Sequence, residues 1–370
     1  SIAISGTSVT LDGTLRADNR VAVTTAGANG IDIQNGMTAL SGDIVLDSDA
    51  AITNTAATGT LTAENGLVSM TADTGIGAAG AAIATDALSL QANTDAGTVL
   101  ITEADGVTLG ATGLTTDAAS DITLNAGNTI NAAGSPINGN NVTIATTANN
   151  GSVLDLNINA AGTADGISHG SGDIAGGTID AGAAVTRTGN TGMAQGLVIT
   201  SDSSSTTITA GEVVGNTIED AGTVMLTATT GDVTANLVDS DSGAVTLNAS
   251  EDASGNEIDA AGEVDIVAAN GEVVGGSITT DGIVNVDAER DVTGIVIDAN
   301  GDINIGTQDD TTEPQTDNIV GIVATSDGTV TLTATTTIDA PNVSGTDAVL
   351  TAASIANGSV TALTGSADLN

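Results

Sequence analysis

The sequence predicts an all-β protein, a right-handed parallel β-helix (β-solenoid) with about 20 residues per rung. Three observations support this fold class. A pattern of glycine followed by two alternating aliphatic residues recurs along the chain. Within each repeat, aliphatic and polar residues alternate with a period of two, which is typical of strands. No segment shows the 3.6-residue period of an amphipathic helix.

The repeat is clearest between Ala221 and Leu332. Its glycines are Gly222, Gly243, Gly262, Gly282, Gly301 and Gly328, separated by 21, 19, 20, 19 and 27 residues. The longest gap holds a proline and a charge cluster, so we expect an inserted loop at 307–317. The N-terminal half follows the same pattern with looser spacing, and we expect irregular rungs at about 160–196. We therefore expect residues 1–370 to form a single elongated β-solenoid.

The composition excludes several functional classes. The chain has no aromatic residue, no cysteine, four basic residues and 46 acidic ones, for a formal net charge of −42. Binding of nucleic acid needs clustered Lys and Arg, which this chain lacks. No apolar run approaches the roughly 20 residues that span a bilayer, so we expect no membrane insertion. Hydrophobic residues make up 40% of the chain, which favours a folded protein over a disordered one.

One rung cannot bury its inward aliphatic residues alone, so rungs must stack on one another. The two ends of such a stack are open sheet edges that need a partner. Ile2 and Ile4 begin an alternating strand, and Val360 and Leu363 belong to another. We therefore expect a homo-oligomer or homopolymer assembled through its terminal rungs, with contacts to a cell surface or matrix.

Two segments carry a family resemblance. Ala119–Gly127 reads ASDITLNAG, and Gly139–Ile144 reads GNNVTI. These rungs resemble the repeats of filamentous-haemagglutinin-type bacterial adhesins. The resemblance implies a right-handed parallel β-helix, export from the cell, and a role in adhesion or surface display. The secretion-domain motifs of that family are not found in this sequence.

Calcium is the cofactor that the sequence suggests. Calcium takes carboxylate and carbonyl oxygens as ligands. Acidic residues recur near the corners of successive repeats, where a divalent ion between rungs would relieve their repulsion. The candidate ligands are Asp281, Asp298 and Asp327 at corners, and Asp309, Asp310 and Glu313 in the inserted loop. The alternative interpretation is that these are solvated surface acids.

We expect no catalytic residues. The carboxylates are spread along the whole chain, and the aromatic platforms of many sugar-binding clefts are missing. His169 is the one histidine, and no nucleophile-elbow sequence surrounds the neighbouring Ser168 and Ser171.

The functional hypothesis is therefore a non-enzymatic one. We expect an extracellular structural protein, a subunit of a cell-surface or matrix filament. The first alternative is an adhesin stalk or spacer within a larger exoprotein, and the second is a carbohydrate-active β-helix enzyme. Electron microscopy of assembled material separates the first two, because fibres differ from isolated particles. A groove holding two or three facing carboxylates would favour the third.

Overall fold

The computed structural model describes residues 1–168, 170–307, 317–339 and 341–370. In these residues the chain is all-β, and parallel strands stack as a β-solenoid of about 18 turns. Contacts divide the chain into two compact units, Ser1–Gly192 (unit 1) and Met193–Asn370 (unit 2).

The strands of unit 1 range from two to 13 residues and follow one another closely. They are β1 (Ile2–Gly6), β2 (Val9–Leu11), β3 (Leu15–Ala17), β4 (Val21–Thr25), β5 (Ile31–Ile33), β6 (Met37–Ala39), β7 (Ile44–Ser48), β8 (Ile52–Thr53), β9 (Thr60–Ala72), β10 (Ile83–Thr94), β11 (Val99–Glu103), β12 (Val107–Thr115), β13 (Ile122–Ala126), β14 (Ile130–Asn131), β15 (Pro136–Gly139), β16 (Val142–Thr146), β17 (Val153–Ala160), β18 (Ala164–Ser168), β19 (Ile174–Ala181) and β20 (Val185–Gly189).

The strands of unit 2 repeat in the order long, short and intermediate through most of the unit. They are β21 (Met193–Gln195), β22 (Val198–Ser201), β23 (Thr206–Ala210), β24 (Glu212–Val214), β25 (Thr217–Asp220), β26 (Val224–Ala228), β27 (Val233–Thr234), β28 (Leu237–Ser240), β29 (Val245–Ala249), β30 (Ala253–Ser254), β31 (Glu257–Ala260), β32 (Val264–Ala268), β33 (Val273–Val274), β34 (Ser277–Thr280), β35 (Val284–Ala288), β36 (Val292–Thr293), β37 (Val296–Ala299), β38 (Ile303–Thr307), β39 (Asn318–Val320), β40 (Val323–Ser326), β41 (Thr329–Thr333), β42 (Thr337–Asp339), β43 (Asn342–Gly345), β44 (Asp347–Thr351), β45 (Ser354–Ala356), β46 (Ser359–Ala362) and β47 (Ala367–Leu369).

Stacking places equivalent residues of successive repeats in register, and this confirms the predicted repeat. In unit 2 the five-residue strands from β26 to β38 pair in parallel, so that Val224 lies beside Val245, and Leu226 beside Leu247. The same inward columns continue through the next three strands. Nearly every inward position is buried, whereas the residues between them face solvent. The core of each unit is therefore a set of aliphatic columns, which replaces the aromatic core of an ordinary globular protein.

Unit 1 is built in the same way. Ile122, Val142, Ala164 and Val185 form one inward column through four successive long strands. The segment 160–196 contains β18, β19 and β20, whose partners are also parallel and in register. Of the inserted loop predicted at 307–317, residues 308–316 lie outside the described residues. The pairing of Val292 with Ile319 shows that the repeat resumes after it.

A buried asparagine ladder runs through one corner of unit 2. Asn216, Asn236 and Asn256 are 1%, 1% and 6% exposed. The Nδ2 of Asn216 donates to Oδ1 of Asn236, and the Nδ2 of Asn236 donates to Oδ1 of Asn256, both at 3.0 Å. The backbone N–H of each donor residue also bonds the same acceptor oxygen, at 3.0 Å. The ladder therefore satisfies buried polar groups of three consecutive turns, as side-chain amide ladders do in stacked sheets.

One corner position next to this ladder carries a testable backbone strain. Six turns place a glycine there with φ between 61° and 68°, but the turn between Gly215 and Gly255 places Ala235 there with φ 53°. A Cβ at Gly255 would meet nothing within 4 Å, so the cost of a side chain arises from the backbone conformation alone.

We expect Ala235→Gly to stabilise the protein by about 0.5–1 kcal/mol, because glycine adopts this conformation without the Cβ penalty. The matched reciprocal change, Gly255→Ala, should cost about 1 kcal/mol for the same reason. Urea unfolding of the two variants measures both effects. Equal effects of the same sign would contradict the assignment of strain to this position.

Candidate functional site

Acidic side chains form an outward column on one face of unit 2. The in-register residues are Glu219 on β25, Asp239 on β28 and Asp259 on β31, followed by Thr279 on β34 and Asp298 on β37. Parallel strands lie about 4.8 Å apart, so neighbouring carboxylates in such a column repel one another. The column follows directly from the repeat, because identical positions of successive turns must stack.

A second set of acids meets this column at the adjoining corner. Asp241 and Asp281 follow β28 and β34, and together with Asp239, Asp259 and Asp298 they line an open cleft of about 400 Å³. We call these five residues the corner cleft. Partial burial raises the pKa of Asp239, and the charges of Asp241 and Asp259 raise it further. The amide of Asn300 donates to Oδ1 of Asp281 at 2.6 Å.

The structure brings together some of the calcium ligands predicted from the sequence. Asp281 and Asp298 both line the corner cleft, whereas Asp327 does not. Asp327 lies at the corner after β40, where its backbone N–H bonds the carbonyl of Ala299 at 3.3 Å. The other three candidates, Asp309, Asp310 and Glu313, lie outside the described residues.

A tighter acidic group lies in unit 1, and the sequence interpretation did not single it out. Asp86, Glu103 and Asp105 place one carboxylate oxygen each within 4.8 Å of one another, and we call them the Glu103 cluster. Glu103 is 4% exposed, and it accepts hydrogen bonds from the Thr85 hydroxyl at 2.6 Å and the Ala87 N–H at 3.2 Å. In the described part of the chain, no other three acidic or histidine side chains approach so closely.

Burial and like charges shift the titration of this cluster. Burial raises the pKa of Glu103, and the hydrogen bonds from Thr85, Ala87 and Ala104 oppose that shift. Partial burial also raises the pKa of Asp86, followed by the charges of Asp105 and Glu64. Three carboxylates in such close contact favour either a shared proton or a cation. Oxygen-only donors of this type suit a hard cation such as Ca²⁺.

The hydroxyl of Ser168 is buried and bonded to the backbone. Ser168 is 2% exposed, and its hydroxyl donates to the carbonyl of Gly172 at 2.7 Å. His169 lies outside the described residues. The described acids of both groups offer carboxylate oxygens only, which can bind cations or protons.

Calcium binding at these acidic groups stays a prediction. We expect the melting temperature to be several degrees higher with millimolar Ca²⁺ than with a chelator, because a cation would offset the repulsion between stacked carboxylates. The double change Asp259→Asn and Asp281→Asn, in the corner cleft, should reduce that difference.

The matched control neutralises two exposed acids elsewhere, Asp12→Asn and Asp18→Asn, and should leave the calcium effect unchanged. Monovalent salt at equal ionic strength controls for general screening. Identical melting curves with calcium and with chelator would contradict the prediction.

No family model, no curated protein and no solved structure matches the chain. In the described residues, no helix is long and apolar enough to cross a membrane.

Proposed function

We propose that the chain is an extracellular structural protein, a subunit of a cell-surface or matrix filament whose copies stack end to end through their terminal turns. The proposal is carried by one observation, the exposure of inward columns at the first and last described turns. The described residues contain neither a helix nor an antiparallel strand pair that covers either edge.

At the last turn, the inward column that is buried in the other turns of unit 2 ends at a solvent-exposed residue. Leu369 lies in register with Leu350, but Leu350 is fully buried whereas Leu369 is 58% exposed. Leu363, at the corner before β47, is 60% exposed. Covering a leucine side chain in full stabilises by about 1.5–3 kcal/mol, so a further β-turn stacked here would gain burial as well as backbone hydrogen bonds.

The inward residues of the first turn are also partly exposed to solvent. Ile2 and Ile4 of β1 lie in register with the fully buried Val21 and Val23 of β4, yet both are only partly buried. The N–H of Ile2 bonds the carbonyl of Arg20, so by strand alternation the N–H of Ala3 points to the open edge. A strand of a second copy could pair there without any change to β1.

Net charge sets the condition for assembly. Each copy carries a formal charge of −42, so copies repel at low ionic strength. The Debye length falls from about 30 Å at 0.01 M to about 8 Å at 0.15 M, and the repulsion falls with it. We therefore expect assembly to increase with salt.

The experiment measures sedimentation and negative-stain images of the purified chain at 0.01 and 0.5 M NaCl. We expect fibres at high salt for the wild type, and far fewer for Ala3→Pro, which removes one open-edge donor but no bond of the β1–β4 ladder. Ala3→Val, which keeps the donor, is the control and should assemble. Monodisperse wild-type particles at high salt, or equal assembly of Ala3→Pro, would overturn the proposal.

The alternative function, an adhesin stalk within a larger exoprotein, is favoured by the resemblance of two rungs to filamentous-haemagglutinin-type repeats. Those rungs contain β13 and β16, which pair in parallel from Ile122–Val142 to Ala126–Thr146. In this function further turns of the same chain would occupy the open edges, and the chain alone would stay monomeric in the sedimentation experiment.

A further inference from the structure

One buried acid in unit 2 occupies a position that other turns give to a hydroxyl. Asp220 ends β25, and the in-register residues on neighbouring strands are Ser201 and Ser240. Farther along the same column stand Ala260, Thr280, Ala299 and Ser326. We call this column the corner hydroxyl column. Asp220 is 1% exposed, so the carboxyl group has no access to water.

Two hydroxyls of this column, those of Ser326 and Thr280, make two bonds each at the corner. Ser326 accepts from the N–H of Gly328 at 2.8 Å and donates to the carbonyl of Gly301 at 2.6 Å. Thr280 likewise accepts from Gly282 and donates to the carbonyl of Gly262. Ser240 donates to the carbonyl of Gly222 at 2.6 Å. In each case, therefore, the hydroxyl of one turn donates a hydrogen bond to a backbone carbonyl at the corner of the turn before it.

Asp220 reproduces only half of this arrangement. Its Oδ1 accepts from the N–H of Gly222 at 2.6 Å, as a serine would. Its Oδ2 is buried and has no hydrogen-bond partner. An ionised carboxylate accepts but cannot donate, whereas a carboxylic acid carries one O–H. The hydroxyl of Thr206 is also buried and lies beside the carboxyl of Asp220; because a hydroxyl can accept as well as donate, an O–H on Asp220 has an acceptor within reach.

The charged groups on the elements around Asp220 all disfavour its ionisation. They are Glu219 on β25 itself, Asp239 on the neighbouring β28, and Asp202 and Asp241 at the adjoining corners; each is exposed and acidic. The strands β22, β23 and β26 carry no titratable side chain. Burial raises the pKa of Asp220, and the hydroxyl and N–H of Thr206 and the N–H of Gly222 oppose that shift.

We propose that Asp220 is a pH-sensitive element of unit 2, which takes up a proton on mild acidification and then donates through Oδ2 like the hydroxyls of its column. On ionisation the donated bond is lost and a charge is left on a buried carboxyl group. Folded protein thus holds this proton more tightly than unfolded protein does. The contribution of Asp220 to stability is therefore fully present below the ordinary aspartate pKa of about 3.8 and is lost as pH rises through the raised value.

The test compares thermal unfolding of three proteins from pH 4 to pH 8. Asp220→Ser installs the residue that the column has at Ser240 and Ser326, and Glu219→Gln neutralises the adjacent exposed acid. We expect Asp220→Ser to melt several degrees above the wild type at pH 8, with the difference shrinking toward pH 4. Glu219→Gln should follow the pH dependence of the wild type.

A second measurement follows the carboxyl group itself. In protein labelled with ¹³C at aspartate side chains, Asp220→Asn should remove one carboxyl signal that titrates above the ordinary aspartate range. Melting curves of Asp220→Ser that run parallel to the wild type at all pH values would overturn the proposal, and so would the absence of a late-titrating carboxyl. Both readouts concern folding of the single chain, so their result is independent of whether copies stack.

Discussion

Asn236→Leu is expected to destabilise unit 2 by about 3 kcal/mol or more, since each buried polar group left unpaired costs about 1–3 kcal/mol. The variant removes the acceptor of both the N–H and the Nδ2 of Asn216. It also removes the Nδ2 donor to Oδ1 of Asn256 and to the carbonyl of Val213, while the backbone N–H of residue 236 still donates to Asn256. Leucine has the same branched shape and leaves no cavity, so the loss does not report a void. Chemical denaturation followed by circular dichroism measures the effect.

The control for this ladder is an exposed asparagine on another face. The Nδ2 of Asn304 donates to Oδ1 of Asn285 at 3.0 Å in a similar side-chain ladder that water reaches. Asn304→Ala should cost less than about 0.5 kcal/mol, because exposed groups regain hydrogen bonds to solvent. If Asn236→Leu cost no more than Asn304→Ala, the buried ladder would not be the stabilising feature that its geometry indicates.

Arg187→Met is expected to have a large effect of the opposite sign, a stabilisation of unit 1. Arg187 is fully buried, on β20 beside Gly166 of β18. Its Nη1 donates to the carbonyls of Ala164 and Thr186 at 3.1 and 3.0 Å, but Nε and Nη2 have no hydrogen-bond partner. Burial lowers the pKa of Arg187 to about 10, and the charge of Asp165 opposes that shift. The guanidinium therefore stays charged at neutral pH.

Methionine fills a similar volume without a charge. Replacing buried ionic groups by apolar ones of similar size is often stabilising by about 1–4 kcal/mol, and we expect Arg187→Met to fall in this range. Arg290 is the matched control, since it pairs with Asp252 at 4.0 Å on the surface. Arg290→Met should change stability by less than about 1 kcal/mol. Loss of stability in Arg187→Met would show that its two carbonyl bonds outweigh the buried charge.

The fold could be predicted from sequence because its physical cause is local and repeated. From β26 to β41, a glycine before each five-residue strand and aliphatic residues at alternate positions fix both the strands and their stacking. The pairing of Val245 with Val264 and of Val264 with Val284 follows directly from that spacing. The acids at Asp281 and Asp298 could also be placed at corners, since both follow the repeat.

The Glu103 cluster, the buried Arg187 and the buried Asp220 depend on which side chains meet across turns. The spacing of the repeat alone does not predict these contacts. Asp86 and Glu103 come together because β10 and β11 pair in a region where the repeat is irregular. The alternation in Val185–Gly189 places Arg187 on the same side as the buried Val185. An analysis of composition registers Arg187 only as one of the four basic residues and gives no sign of its burial. Asp220 is similar, since its burial becomes evident only when the hydroxyls of its column are aligned with it.

Intermolecular energy transfer is the sharpest test of the proposed end-to-end stacking. The chain has no cysteine, so Ser1→Cys and Asn370→Cys each give one labelling site. Donor-labelled Asn370→Cys is mixed with acceptor-labelled Ser1→Cys at 0.5 M NaCl, and same-end mixtures serve as controls. We predict strong transfer between opposite ends and weak transfer between like ends. Absence of transfer in assembled material, or equal transfer in all mixtures, would contradict end-to-end stacking.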